Sequence, residues 1–425
     1  MEKYDIKISG RICGEYGCTV KVPVSKSEAH RMLICASLAD SPCGISIGRT
    51  NDDIDATVSA LRALGAAITE KDGVFFVEPV KEVNKGALID AKESGSTLRF
   101  LLPVAAALGA DAAFTGEGRL PERPLSPLCD LMRENGVNMS ENCRMPLVCR
   151  GKLSGDHFEI DGGVSSQFIT GLMLASPLIS DRVTVAVTGK PESKPYIDIT
   201  AGIMRKFGVN VEEKDNVYTV SGKYRSPGGI KSGGDWSGAA FWIVGGALSR
   251  RGLAVEGAEI DSAQGDRAII FRLHEMGADI LCGSDVFFAS SSKLHGTEID
   301  CADIPDLVPV LSVAASFAGG KTVFHNISRL RAKESDRVAA IISLAEAFGI
   351  NAGADLNTLT IEGGVPKSIK PVDSFGDHRI AMSAAIMAVS SGNECIIRNA
   401  GCVSKSYPAF FEDLSALGAK VEIIK

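Results

Sequence analysis

No run of about 18 apolar residues occurs in the chain, so no segment is expected to cross a bilayer as a helix. The N-terminus, MEKYDIKISG, lacks the apolar core of a signal peptide and alternates as a strand does. A basic excess is missing too. The formal net charge is −7, which disfavours a nucleic-acid partner while leaving room for local basic pockets. The six histidines are scattered without metal-ligand spacing, so no metal site is expected. The eleven cysteines form no CxxC pair and no regular framework, and their number is odd. They read as reduced, mostly buried thiols of a cytosolic protein. What remains is ordinary globular composition: 425 residues, 45% hydrophobic and 23% charged, enough for one large domain or two medium ones.

Two phrases recur along the chain. The first is an amphipathic run, then Gly, then a strand-like tail: VSALRALGAAIT, LCDLMRENGVNM, TAGIMRKFGVNV, FRLHEMGADI, LAEAFGINA and LSALGAKVEI. Its glycines are Gly65, Gly136, Gly208, Gly277, Gly349 and Gly418, at intervals of 69 to 72 residues. Glycine ends a helix well because it takes positive φ at no steric cost. The second phrase is a polar start followed by a long apolar helix. Its markers are Ser27, Ser96, Ser166, Ser237, Asp306 and His378, again 69 to 72 apart. These are read as helix N-terminal caps. Two phrases in step over six units imply six α/β repeats of about 70 residues, too long for common solenoids. A closed arrangement of two halves, three repeats each, is expected. The boundaries read as 23–232 for one half and 1–22 plus 233–425 for the other. The first strand, YDIKISG, precedes the first full unit and can complete the last.

The chemistry-bearing residues fall at helix starts, where unpaired N–H groups and the dipole favour anions. The first three repeats offer Lys26, Ser27 and Arg31; Ser94, Gly95, Ser96 and Arg99; Arg119 and Arg123; Ser165, Ser166 and Gln167; and Ser193, Lys194 and Tyr196. The last three mix acids with bases: Asp303 and Asp306; Lys333, Glu334 and Arg337; His378 and Arg379; and Lys405. Each alone is weak. Ser-Ser at a helix start is usually a plain cap, and so is a lone Asp. Their shared location suggests a division of labour, with one half cradling anions and the other adding groups for proton transfer.

Together SKSEAHR, SGSTLR, LPERP, DGGVSSQF, SKPYIDIT, IPDLVPVLSVAA, AKESDR, GDHRIAMS and SKSYPAF resemble the 3-phosphoshikimate 1-carboxyvinyltransferase (EPSP synthase) family, collinearly from about residue 23 to 411. The resemblance implies a two-domain enolpyruvyl transferase-like α/β fold with three repeats per domain and the active site in the cleft between them. It implies transfer of the enolpyruvyl group of phosphoenolpyruvate to the 5-hydroxyl of shikimate 3-phosphate, with no metal or organic cofactor. It also implies a cytoplasmic monomer with no nucleic-acid or membrane partner, and glyphosate binding in place of phosphoenolpyruvate. Shikimate 3-phosphate would touch Lys26, Ser27, Arg31, Ser165, Ser166, Gln167, Ser193, Tyr196, Asp306 and Lys333. Phosphoenolpyruvate would lie against Lys26, Gly95, Arg123, Gln167, Arg337, His378, Arg379 and Lys405.

The reaction adds a hydroxyl across an enol phosphate, then expels phosphate. Two carboxyl groups in different surroundings suit its proton transfers. Asp306 is assigned to the hydroxyl and Glu334 to the methylene carbon, with Lys333 beside both and Lys26 among the catalytic set. Asp336 is read as structural. The chain departs from the family pattern at Val24, Glu93 and Ser96, and Glu93 adds a negative charge near the phosphoenolpyruvate pocket. A UDP-N-acetylglucosamine enolpyruvyl transferase shares the repeats and chemistry. That family carries a Cys on the loop with the phosphoenolpyruvate arginine, and GEGRLPERPLSP has none. A non-catalytic anion-binding relative is the third reading, which intact Asp306, Lys333 and Glu334 disfavour.

Overall fold

A computed structural model describes residues 4–13 and 18–424. The chain forms two compact units, Val24–Ser232 and Met1–Pro23 with Gly233–Lys425. Each unit has its own core of buried apolar side chains.

Among the described residues, six four-stranded sheets share one pattern: a parallel pair, then two antiparallel strands. In one, Leu88–Asp90 runs parallel to Ala113–Thr115, which pairs antiparallel with Leu147–Gly151 and, through it, with Val137–Met139. Within a repeat the chain runs strand, helix, strand, second helix, then two antiparallel strands. Three strands complete sheets far from their own place in sequence. Thr19–Lys21 pairs with Leu253–Glu256, and Gly229–Lys231 pairs with Cys43–Ser46, both parallel. Asp5–Ser9 lies antiparallel between Cys395–Arg398 and Lys420–Ile424, so the N-terminal strand does complete the last sheet.

The glycines of the first phrase all take positive φ, from 69° at Gly349 to 115° at Gly65. At Gly65 a Cβ would also run into the Glu82 carbonyl oxygen, so this helix end admits no side chain.

The long helices of the second phrase are buried on nearly every side. In Trp236–Leu248 only Ser237 and Leu248 escape burial. The caps, however, are not the expected ones. Ser25, Ser94, Ser165, Asp235 and Asp377 accept the first-turn N–H groups. Ser27, Ser96, Ser166, Ser237 and His378 lie inside the first turn, because a capping side chain must precede the helical residues whose N–H groups it binds. The fifth helix, Val308–Phe317, has no side-chain cap, and Asp306, two residues ahead of it, is committed elsewhere.

Candidate active site

In unit Val24–Ser232 the expected residues gather at helix N-termini. Lys26, the first residue of helix Lys26–Ser37, pairs with Asp53 at 2.8 Å. Arg31 lies one turn further on and is 2% exposed. Its guanidinium donates to the Ser27 carbonyl at 2.6 Å, to the Tyr196 carbonyl at 3.0 Å and to the Thr200 hydroxyl at 2.7 Å. It also stands 4.8 Å over the Phe100 ring. No carboxylate pairs with it among the described residues, and burial lowers its pKa to about 10.

Helices Gly95–Leu108 and Ser166–Ile179 approach closely at Gly171, where a Cβ would strike the Arg99 carbonyl oxygen. That approach brings Gln167 to the start of the neighbouring helix. Gln167 Oε1 accepts from Arg99 at 2.7 Å, and Gln167 Nε2 donates to Ser96 at 3.1 Å. Gly95 faces two guanidinium ends: a Cβ there would lie 2.8 Å from Nη1 of both Arg123 and Arg99. Arg123 closes the turn Leu120–Glu122, ahead of helix Ser126–Glu134. Its Nε is buried with no hydrogen-bond partner among the described residues. Glu93 turns its carboxyl against Gly118 of the same loop. Ser166 is buried, and Ser193 is buried in left-handed backbone (φ 55°) at the start of helix Lys194–Lys206. A non-glycine residue held there stores strain of the kind found at functional sites.

In the other unit, one buried arginine gathers three acids. Arg337, 1% exposed, opens helix Arg337–Ala347. It donates from Nε to Asp377 at 2.8 Å, from Nη1 to Asp306 at 2.7 Å and from Nη2 to Glu334 at 2.7 Å. Asp306 also meets Arg379 Nη2 at 3.0 Å and Lys333 Nζ at 3.6 Å. Burial works against ionising Asp306, but Arg379, Lys333 and Arg337 together hold it well below the usual carboxylate range. Burial pushes Lys333 down to about 8, with Asp306 opposing and Arg337 assisting. The turn Ser328–Ala332 delivers Lys333 and Glu334 to this cluster. Asp336 caps the helix by accepting from Ala339 N at 3.1 Å, so it is structural as expected. The run KESDR thus joins members of the ion cluster to a helix cap.

His378 and Arg379 begin helix His378–Ser391, both buried. Lys405 donates to the Gly376 carbonyl at 2.7 Å, next to the Asp377 cap. Sequence reasoning passed over Asp377, Asp53 and Thr200. Asp377 stood in plain view in GDHR, but a residue that caps one helix and anchors an arginine of another shows only the cap in sequence. Asp53 and Thr200 carry no local signal, since their partners lie 27 and 169 residues away.

Repeated βαβαββ units with paired cations and carboxylates at helix starts define an enolpyruvyl transferase fold. Two solved structures share it. EPSP synthase from Acinetobacter baumannii superposes with TM-score 0.81 at 24% identity, covering 99% of this chain and all of that one. The enolpyruvyl transferase NikO from Streptomyces tendae gives 0.79 at 20% identity, covering 100% and 99%. The family profile for EPSP synthase (3-phosphoshikimate 1-carboxyvinyltransferase) matches residues 11–414. The 3-phosphoshikimate 1-carboxyvinyltransferase of Clostridium kluyveri is 39% identical over 412 residues, 95% of each chain. That of Methanocorpusculum labreanum is 35% identical over 408 residues, 95% of this chain and 96% of its own. The chain belongs to the EPSP synthase family.

Proposed function

We infer that the chain transfers the enolpyruvyl group of phosphoenolpyruvate to the 5-hydroxyl of shikimate 3-phosphate, releasing phosphate. Beyond family membership, one observation carries the reading: Asp306, Lys333, Glu334, Arg337 and Arg379 form one connected cluster. A protein that only bound anions would need the cations and not the half-buried carboxylates beside them.

The proton traffic follows from that cluster. The hydroxyl oxygen bonds to C2 of phosphoenolpyruvate while C3 gains a proton. The tetrahedral intermediate then expels phosphate while C3 gives a proton back. Asp306, held ionised, orients the hydroxyl by accepting its hydrogen bond. It is a weak base for the same reason. Lys333, with pKa about 8, is closer to the value that suits proton exchange near neutrality, so it takes the hydroxyl proton. Glu334, anchored by one oxygen to Arg337, supplies and recovers the C3 proton. In this reading Arg379, Arg337, His378 and Lys405 bind phosphoenolpyruvate, as do Lys26, Gly95, Arg123 and Gln167. Arg31, Ser27, Ser165, Ser166, Ser193 and Tyr196 hold shikimate 3-phosphate. Arg31 and Arg123 suit anions because, among the described residues, no carboxylate pairs with them. A monomer in the cytoplasm completes the reading. The test is phosphate release from phosphoenolpyruvate with and without shikimate 3-phosphate. Release only with both is expected, and release with phosphoenolpyruvate alone would overturn the reaction.

A further inference from the structure

Three helices of unit Val24–Ser232 are joined by a relay of buried polar side chains that the reaction scheme does not use. His30 lies in helix Lys26–Ser37, Thr57 in helix Asp52–Leu64 and Thr97 in helix Gly95–Leu108, which Ser94 caps. All four side chains are buried. His30 Nδ1 is 2.7 Å from the Thr57 hydroxyl, which is 2.7 Å from the Thr97 hydroxyl. Thr97 in turn donates to the Ser94 hydroxyl at 2.8 Å, with the Asp53 carbonyl a second acceptor at 3.4 Å. A hydroxyl has one proton, so Thr97 accepts from Thr57. Thr57 has then spent its own proton and accepts from His30, which fixes His30 as the Nδ1–H tautomer. The other ring nitrogen agrees: Nε2 is buried, and no donor among the described residues reaches it. Burial, helped by the charges of Lys26 and Arg31, holds the ring's pKa well below its ordinary value, so the ring is neutral. Every N–H and O–H bond of the relay therefore points its positive end towards the start of helix Gly95–Leu108.

We propose that Thr57 is a positioning residue for the reaction: through Thr97 and Ser94 it sets the start of helix Gly95–Leu108 for the anion of phosphoenolpyruvate. Ser94 accepts from Thr97 N at 3.2 Å. The N–H groups of Gly95 and Ser96, ahead of it, meet no acceptor among the described residues. They are the donors an anion would take up, and the aligned bonds behind them polarise one another and add to the positive end of the helix dipole. The relay also fixes a distance. Thr97 touches helix Asp52–Leu64 at Thr57 and at the Asp53 carbonyl, and the Asp53 carboxylate holds Lys26 at 2.8 Å. The Gly95 amide and the Lys26 ammonium, both assigned to phosphoenolpyruvate, are thus held by one hydrogen-bonded frame. Without the Thr57 hydroxyl, His30 loses its acceptor, Thr97 loses its donor, and the frame loses its middle.

The inference rests on the proposed reaction, and the experiment separates the two. KM for each substrate is measured at saturating concentrations of the other, for the wild type, Thr57→Val and Thr57→Ser. The valine keeps the shape and drops the hydroxyl, while the serine keeps the hydroxyl. In Thr57→Val, KM for phosphoenolpyruvate should rise about three- to ten-fold, the range for one hydrogen bond, with KM for shikimate 3-phosphate nearly unchanged. Thr57→Ser should restore the wild-type value. Equal rises in the two KM values, a lower melting temperature with both KM values unchanged, or a serine variant as impaired as the valine would overturn the proposal and leave a plain structural tie. Should Thr57→Val fail to fold, the histidine ring-nitrogen chemical shifts of the wild type decide, with the His30 signals assigned against His30→Gln. A neutral Nδ1–H ring is expected near neutrality, and an Nε2–H or charged ring would reverse the relay and overturn the proposal. No phosphate release from the wild type with both substrates would overturn the reaction instead.

Discussion

The two units treat their central arginine in opposite ways. Arg31 is buried among uncharged oxygens, two carbonyls and a hydroxyl, and its pKa falls to about 10. Arg337 is just as buried but touches three carboxylates. Burial opposes its charge, yet Asp377, Glu334 and Asp306 together hold its pKa well above the ordinary value. A buried cation without an acid is costly until an anion arrives, so Arg31 is poised to bind. A buried cation ringed by acids is already satisfied, so Arg337 is poised to organise. Arg337 was expected to be an anion clamp. Its Nε and both terminal nitrogens are engaged by the protein, and a ligand carboxylate would have to share them.

The largest effect should come from the organised side, in chemistry rather than binding. Glu334→Gln keeps the hydrogen bond to Arg337 in kind but cannot shuttle a proton. The turnover number should fall by roughly 10²–10⁴, with shikimate 3-phosphate affinity nearly unchanged. Near wild-type turnover would leave Glu334 as a mere partner of Arg337.

Next, Arg337→Met takes a cation from three acids, of which Asp306 keeps Arg379 and Lys333. Removing one partner of a buried ion pair costs roughly 3–5 kcal/mol, which urea unfolding at pH 7 should register. The sign of the pH dependence is fixed by Asp306, whose folded pKa is depressed. Its contribution is present above its unfolded value of about 4 and is lost as pH falls towards the folded value. In the variant Asp306 protonates more readily for want of one cation, so the deficit should shrink as pH falls below about 5. A deficit independent of pH would mean that lost packing, not charge, is responsible.

On the anion-cradling side, Arg31→Ala should raise KM for shikimate 3-phosphate by about 10- to 100-fold, the range for losing a charge-assisted contact of roughly 1.5–3 kcal/mol. It should cost less stability than Arg337→Met, because what it leaves behind are carbonyls and a hydroxyl, not charges. Equal stability losses in the two variants would erase the contrast between the units.

The repeats were legible because both periodic signals are local: a glycine forced into positive φ, and an apolar helix with a polar start. The identity of the caps was missed by one or two residues, since a polar cluster at a helix start does not say which member precedes the first turn. In the fifth repeat the cap position falls to Leu307, whose side chain cannot accept a hydrogen bond, and Asp306 is left to the ion cluster. Lys333, Glu334, Arg337 and Arg379 could be singled out because charge beside an apolar helix is conspicuous. Asp377 could not, because it looks like an ordinary cap acid until its second partner, distant in sequence, is seen.

The smallest effect is expected at Gly95. The atoms a methyl would meet there are the ends of Arg123 and Arg99, not backbone, and such ends can yield a few tenths of an ångström. Gly95→Ala should therefore fold normally and shift the melting temperature little. The displaced Arg123 guanidinium should raise KM for phosphoenolpyruvate a few-fold, about 1 kcal/mol or less. Glyphosate, expected to occupy the same place with a longer backbone, has less slack against an added methyl, so its inhibition constant should rise more than that KM. The ratio of the two changes is the measurement. A ratio of one would mean that the methyl acts only by moving Arg123, which both ligands share. A ratio well above one would mean that it meets glyphosate itself.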